Sequence, residues 1–128
     1  MTESRILFVD DEANVLRGYE RTLKDYRNKW EMEFYTCPLQ AWRRLRELPF
    51  DVVVTDVRMP VMNGLQLLHH VKQHHATADV QVLVMTGSDD RKLKRQALNL
   101  DATDLLTKPV DAAELVVRLR SALRLAVE

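Results

Sequence analysis

Five polar residues of this 128-residue chain follow strand-like stretches. Asp10 and Asp11 follow residues 6–9, Asp56 follows 52–55, Thr86 follows 80–85 and Lys108 follows 104–107. Carboxylates brought together repel unless solvent or a cation intervenes. Three of them at one place favour a hard divalent cation with oxygen ligands, here Mg²⁺. Lys108 adds a point positive charge and Thr86 a hydroxyl donor. Cation, ammonium and hydroxyl around one carboxylate suit phosphoryl transfer, in which a protein mainly positions groups and neutralises charge. Asp56 would then be the nucleophile and carry an aspartyl phosphate. Taken singly, each residue could instead cap a helix or solvate a strand end. For Glu12 that plainer reading is preferred, because an acid complements the dipole of a following helix.

For these groups to meet, the stretches that carry them must lie side by side. Residues 6–9 and 52–55 are apolar runs, the second rich in β-branched residues, and read as strands buried on both faces. Residues 80–85 and 104–107 read as the fourth and fifth strands. In 30–36, Met32, Phe34 and Thr36 alternate with Glu31, Glu33 and Tyr35, which predicts a more exposed strand at or near a sheet edge. Val15, Leu16, Tyr19, Leu23 and Tyr26 have helical spacing and predict a helix over 13–26. Pro38 opens a second helix, with Ala41, Trp42, Leu45 and Leu48 inward. Leu65, Leu67, Leu68 and Val71 mark a third. Ser88 reads as the N-cap of a basic fourth helix over 89–100, whose apolar face of Leu93, Ala97, Leu98 and Leu100 is thin. Asp111 and Glu114 have capping-box spacing before a fifth helix. Val117 and Leu125 fall outside its apolar arc among Arg118, Arg120 and Arg124, a hint of a contact surface. Pro109 holds Lys108 extended.

Five β-α alternations imply a parallel sheet with helices on both faces. All five polar groups then share one sheet edge, beyond the strand C-termini, where open α/β sheets bind ligands.

The composition is 46% hydrophobic and 30% charged, ordinary for a soluble globular domain, and the length predicts one domain over 1–128. With 19 basic and 19 acidic residues there is no global pull toward nucleic acid or membrane. Cys37 is the one cysteine, so no internal disulfide can form, which suits a reducing cytoplasm. No run is long and apolar enough to span a bilayer, and the N-terminus has no signal-peptide apolar region. His70 and His74 lie one turn apart, but no Cys or carboxylate completes a metal site; a polar helix face is preferred. Arg43, Arg44 and Arg46 read as a solvated face.

The run from Ile6 to Glu12, Asp56-Val57-Arg58-Met59-Pro60 with Gly64, Thr86-Gly87 and Lys108-Pro109 resemble the receiver domain of two-component response regulators. The resemblance covers nearly the whole chain. It implies a flavodoxin-like doubly wound fold with five parallel strands in the order 2-1-3-4-5. It implies phosphorelay signalling, with phosphoryl transfer to Asp56 from a sensor histidine kinase or phosphotransfer protein. Asp11, Asp56 and the Arg58 main-chain carbonyl would bind Mg²⁺, with Asp10 assisting, and Thr86 and Lys108 would contact the phosphoryl group. Phosphorylation would bias the face of helix four, strand five and helix five toward an output domain, another partner or a homodimer. No turnover of an external substrate and no direct nucleic-acid or membrane binding is expected. The first strand and helix also look like receivers joined to HD-type output domains. The chain could be a stand-alone regulator or the N-terminal part of a longer one.

Three positions depart from the family pattern. Leu105 stands three residues before the lysine, where an aromatic is usual, so coupling by aromatic rotation lacks its usual side chain. Asp101 replaces a common glycine; Asp tolerates left-handed backbone better than most residues. Gly87 stands where alanine is common and is expected to loosen its loop. Leu105 leaves a rival open: a receiver-like scaffold that works without phosphate. A Mg²⁺-dependent phosphatase lacks a second acid two residues after Asp56, where Arg58 stands. A nucleotide-binding protein lacks a glycine-rich loop after the first strand.

Overall fold

The computed structural model describes residues 4–87 and 91–127. Its strands are β1 (Ser4–Val9), β2 (Trp30–Tyr35), β3 (Val52–Asp56), β4 (Gln81–Thr86) and β5 (Asp104–Thr107). The helices are α1 (Ala13–Thr22), α2 (Pro38–Glu47), α3 (Gly64–Gln73), α4 (Arg91–Asn99) and α5 (Ala112–Val127). All strand pairings are parallel, in the order β2-β1-β3-β4-β5. This is the doubly wound flavodoxin-like sheet expected, with the loosely alternating strand at an edge.

Successive strand residues point to opposite faces, and the two faces build two cores. Ile6, Phe8, Val52, Val54, Leu83 and Met85 pack with Leu16 and Tyr19 of α1 and Leu115 and Leu119 of α5. Leu7, Val9, Val53, Val82 and Val84 pack with Ala41 and Leu45 of α2 and Leu67, Leu68 and Val71 of α3. Because β3 is covered on both sides, all five of its residues are buried.

The boundaries shift where local bonding decides them. The helix expected over 13–26 stops at Thr22 and tightens into a 3₁₀ turn, Lys24–Tyr26. Val80 belongs to the turn before β4, its N–H donating to the Thr77 carbonyl. The expected cap at Ser88 lies outside the described residues. Within the described part of α4 only Ala97 is buried, so that helix is indeed thinly anchored. Asp111 accepts from the Glu114 N–H at 2.8 Å, the forward half of the expected capping box.

Arg44 corrects the reading of a uniformly solvated arginine face. Its guanidinium holds Glu33 of β2 through two bonds of 2.8 and 3.0 Å, tying α2 to the edge strand. Arg46 lies over the Trp42 ring at 4.8 Å, and His70 and His74 both pack against that same ring. Asp101 takes the left-handed conformation expected of it, with φ 67°.

Candidate functional site

Register puts the polar strand ends at one level. Val9 pairs with Thr55, so Asp10 and Asp56 follow side by side. Asp56 pairs with Met85, and Thr86 with Thr107, so Thr86 and Lys108 come next along the same edge. The Lys108 N–H donates to the Thr86 carbonyl at 2.7 Å, which fixes the turn that carries the lysine. The Lys108–Pro109 peptide is cis.

The side chains of Asp10, Asp11, Asp56 and Lys108 gather at one place. Asp10, Asp56 and Thr86 are buried, whereas Asp11 is exposed at the rim. Lys108 Nζ donates to Asp10 Oδ2 at 2.8 Å and lies 3.1 Å from Asp56 Oδ1. Asp10, Asp11 and Asp56 each offer an oxygen within 4.8 Å of the others, a cluster that could hold a metal ion. Around an octahedral Mg²⁺ with bonds of ~2.1 Å, opposite oxygens stand about 4.2 Å apart. Oxygens spread over as much as 4.8 Å are close to that span and would draw slightly together around the ion. The charge of the cluster fits as well, since three carboxylates and one ammonium leave two negative charges.

The electrostatics agree. Burial pushes the Asp56 carboxyl above its ordinary value; the Lys108 charge opposes that and the Asp10 charge adds to it. For Lys108, burial alone would lower the pKa, but the bond to Asp10 and the charges of Asp10 and Asp56 outweigh it and raise the net value.

Asp10 has a further tie, accepting the Glu12 N–H through Oδ1 at 2.9 Å. Both its oxygens thus serve protein donors. Glu12 itself begins α1 with no capping bond from its side chain. Beside Asp11, a shallow cavity of about 470 Å³ is lined by Arg58, Met59 and Asn63 and by Leu93 of α4.

Two supporting features were not foreseen. Gly64 N–H donates to the Val57 carbonyl at 2.9 Å, and a Cβ at Gly64 would run into the Asp56 carbonyl oxygen and lie 2.9 Å from its carbon. Asn63 and Gln66 form a reciprocal capping box at the start of α3, at 2.8 and 2.9 Å, which the N-x-x-Q spacing could have signalled. Gly87, expected to loosen its loop, has no positive φ, and a Cβ there would meet nothing within 4 Å among the described residues. His70 and His74 converge on Trp42; among the described residues they join no group of three candidate metal ligands.

Residues 6–120 match the model of the response regulator receiver domain. The chain belongs to that family. It is 36% identical to the response regulator protein PilR of Pseudomonas aeruginosa over 98% of this chain and 27% of that protein. It is 37% identical to the response regulator PleD of Caulobacter vibrioides over 94% of this chain and 26% of that one. The chain thus spans about a quarter of the length of these relatives. Among solved structures, the signal receiver domain of an HD domain-containing protein from Pseudomonas fluorescens superposes with a TM-score of 0.89, at 28% identity over 98% of both chains. The chemotaxis protein CheY4 of Vibrio cholerae gives a TM-score of 0.87 at 26% identity, over 95% of this receiver and all of that chain. The receiver is a two-component signalling domain, and no described helix is long and apolar enough to cross a membrane.

Proposed function

We propose that this receiver accepts a phosphoryl group on Asp56 from a sensor histidine kinase or phosphotransfer protein. The observation that carries the reading is Lys108 Nζ lying between Asp10 and Asp56 within a three-carboxylate cluster. In the transfer, an Asp56 carboxylate oxygen forms a bond to phosphorus. The bond from phosphorus to the donor breaks, and the donor leaves with its electron pair. Lys108 neutralises charge on the phosphoryl oxygens, and the Thr86 hydroxyl donates to one of them. Asp11, Asp56 and the Arg58 main-chain carbonyl would hold Mg²⁺, with Asp10 assisting, and the ion would supply charge neutralisation at the transferring group.

The transfer is self-directed, and no external substrate is turned over. Phosphorylation biases α4, β5 and α5, where Leu98, Val117 and Leu125 are about half exposed or more. An output domain or separate partner reads that face, or a second copy pairs through it. The long relatives support the view that 1–128 is one receiver within a larger regulator. Its place of work on this reading is the cytoplasm, where the single cysteine suits a reducing environment. The HD-linked relative makes an HD-type output the first to test. The phosphate-independent scaffold rests on Leu105 alone and is not favoured.

The deciding experiment treats wild type and Asp56→Asn with a small phosphodonor, with and without Mg²⁺, read by intact mass. Wild type should gain one phosphoryl group only with Mg²⁺, and Asp56→Asn none. Equal gain in both proteins, or none in either, overturns the proposal.

A further inference from the structure

Asp11 and the loop after β3 supply most of the cavity beside the acid site. Asn63 on that loop is fixed by its capping box, and Met59 is buried. The remaining wall comes from another element, Leu93 in the first turn of α4. It is also the apolar contribution of a helix that buries only Ala97 among its described residues. Leu93 and Leu105 belong to the same apolar layer beneath α4. The cavity borders the acid site through Asp11, which has a carboxylate oxygen within 4.8 Å of one on Asp56; one wall of it is set by a side chain whose helix is thinly held, and the other by a braced loop.

We propose that Leu93 sets the access of water and phosphodonor to Asp56, and with it the lifetime of the phosphoryl group. The inference rests on phosphorylation of Asp56. In hydrolysis a water oxygen bonds to phosphorus, the bond from phosphorus to Asp56 breaks with its electron pair returning to the carboxylate, and the water's protons leave with inorganic phosphate or pass to solvent. The incoming water must approach from the side away from Asp56. An apolar side chain at the mouth occupies that space and offers the water no hydrogen bond. A partner that grips α4 would move this wall and so change the lifetime it reads.

The test follows loss of the phosphoryl group by intact mass after the donor is removed. It compares wild type, Leu93→Ala, Leu93→Met and Gln96→Ala, the last an exposed residue of α4 outside the cavity lining. Leu93→Ala should lose phosphate at least about threefold faster, while Leu93→Met and Gln96→Ala stay near wild type. Phosphorylation by acetyl phosphate should speed up more than phosphorylation by the smaller phosphoramidate, a size dependence that simple loosening of the helix would not give. Should Leu93→Ala fail to fold, Leu93→Val takes its place with the same direction expected. Unchanged lifetimes at Leu93, or an equal effect from Gln96→Ala, overturn this inference alone. A wild type that takes no phosphoryl group overturns the proposed function and this inference together.

Discussion

Lys108 Nζ is closer to Asp10, at 2.8 Å, than to the proposed phosphoacceptor Asp56, at 3.1 Å. One ammonium thus holds two buried carboxylates together. Removing one partner from a buried pair leaves charge without compensation, at a cost of ~3–5 kcal/mol. Lys108 keeps 21% of its side chain exposed, so Lys108→Met should lose rather less, on the order of 2–3 kcal/mol, at neutral pH without divalent cation. Urea unfolding with an unchanged slope measures it. The pKa of Lys108 is raised above 10.5, so its contribution is complete below that pH and lost as pH rises through the higher folded value. A loss that grows toward acid pH would contradict this account.

Asp56 has the opposite sign. Burial lifts its carboxyl above 3.8, so the folded chain holds that proton more tightly than the unfolded chain. Stability from this group falls as pH climbs from 3.8 through the raised value, and stays low above it. Without divalent cation, Asp56→Asn should melt at a higher temperature than wild type near neutral pH. The advantage should shrink as pH falls toward 3.8. Mg²⁺ at a hundredfold over its Kd should stabilise wild type by about 2.7 kcal/mol and Asp56→Asn by clearly less. Equal Mg²⁺ stabilisation of both proteins would remove Asp56 from the metal site.

The site was legible because its parts are punctuation. Asp10, Asp56, Thr86 and Lys108 each end or follow an apolar strand, and parallel register does the rest. The strand order was not contained in periodicity and came from the motif resemblance. Glu33 and Arg44 were missed because they are eleven residues apart on different elements, and no local pattern pairs them. The division of labour at Asp10 was equally hidden. Which acid the lysine prefers depends on ångström differences that spacing does not encode.

Gly64 offers a sharper test of the fold around Asp56. Any Cβ there meets the Asp56 backbone, which cannot swing aside as a flexible side chain would. Gly64→Ala should destabilise by about 3 kcal/mol or more and reduce phosphorylation of whatever folds. Gly87→Ala should stay within ~0.5 kcal/mol of wild type, because its Cβ meets none of the described residues. Thermal unfolding of the two variants side by side checks both, and a tolerated Gly64→Ala would mean the loop after β3 sits differently.

Arg58 is exposed and lines the cavity beside Asp11, where a cation can shield a phosphoryl group by charge or by bulk. Arg58→Ala should shorten the phosphoryl lifetime in either case. Ionic strength separates the causes, because salt at 0.1 M screens exposed charges over about 10 Å and leaves sterics untouched. If charge dominates, Arg58→Met should behave like Arg58→Ala at low salt, and the gap to wild type should close as salt rises. If bulk dominates, Arg58→Met should keep the wild-type lifetime at every salt concentration. The open mouth beside Asp11 favours charge, so a salt-independent gap would show that Arg58 acts by filling the cavity. Identical lifetimes for all three proteins would leave Arg58 no part in protecting the phosphoryl group.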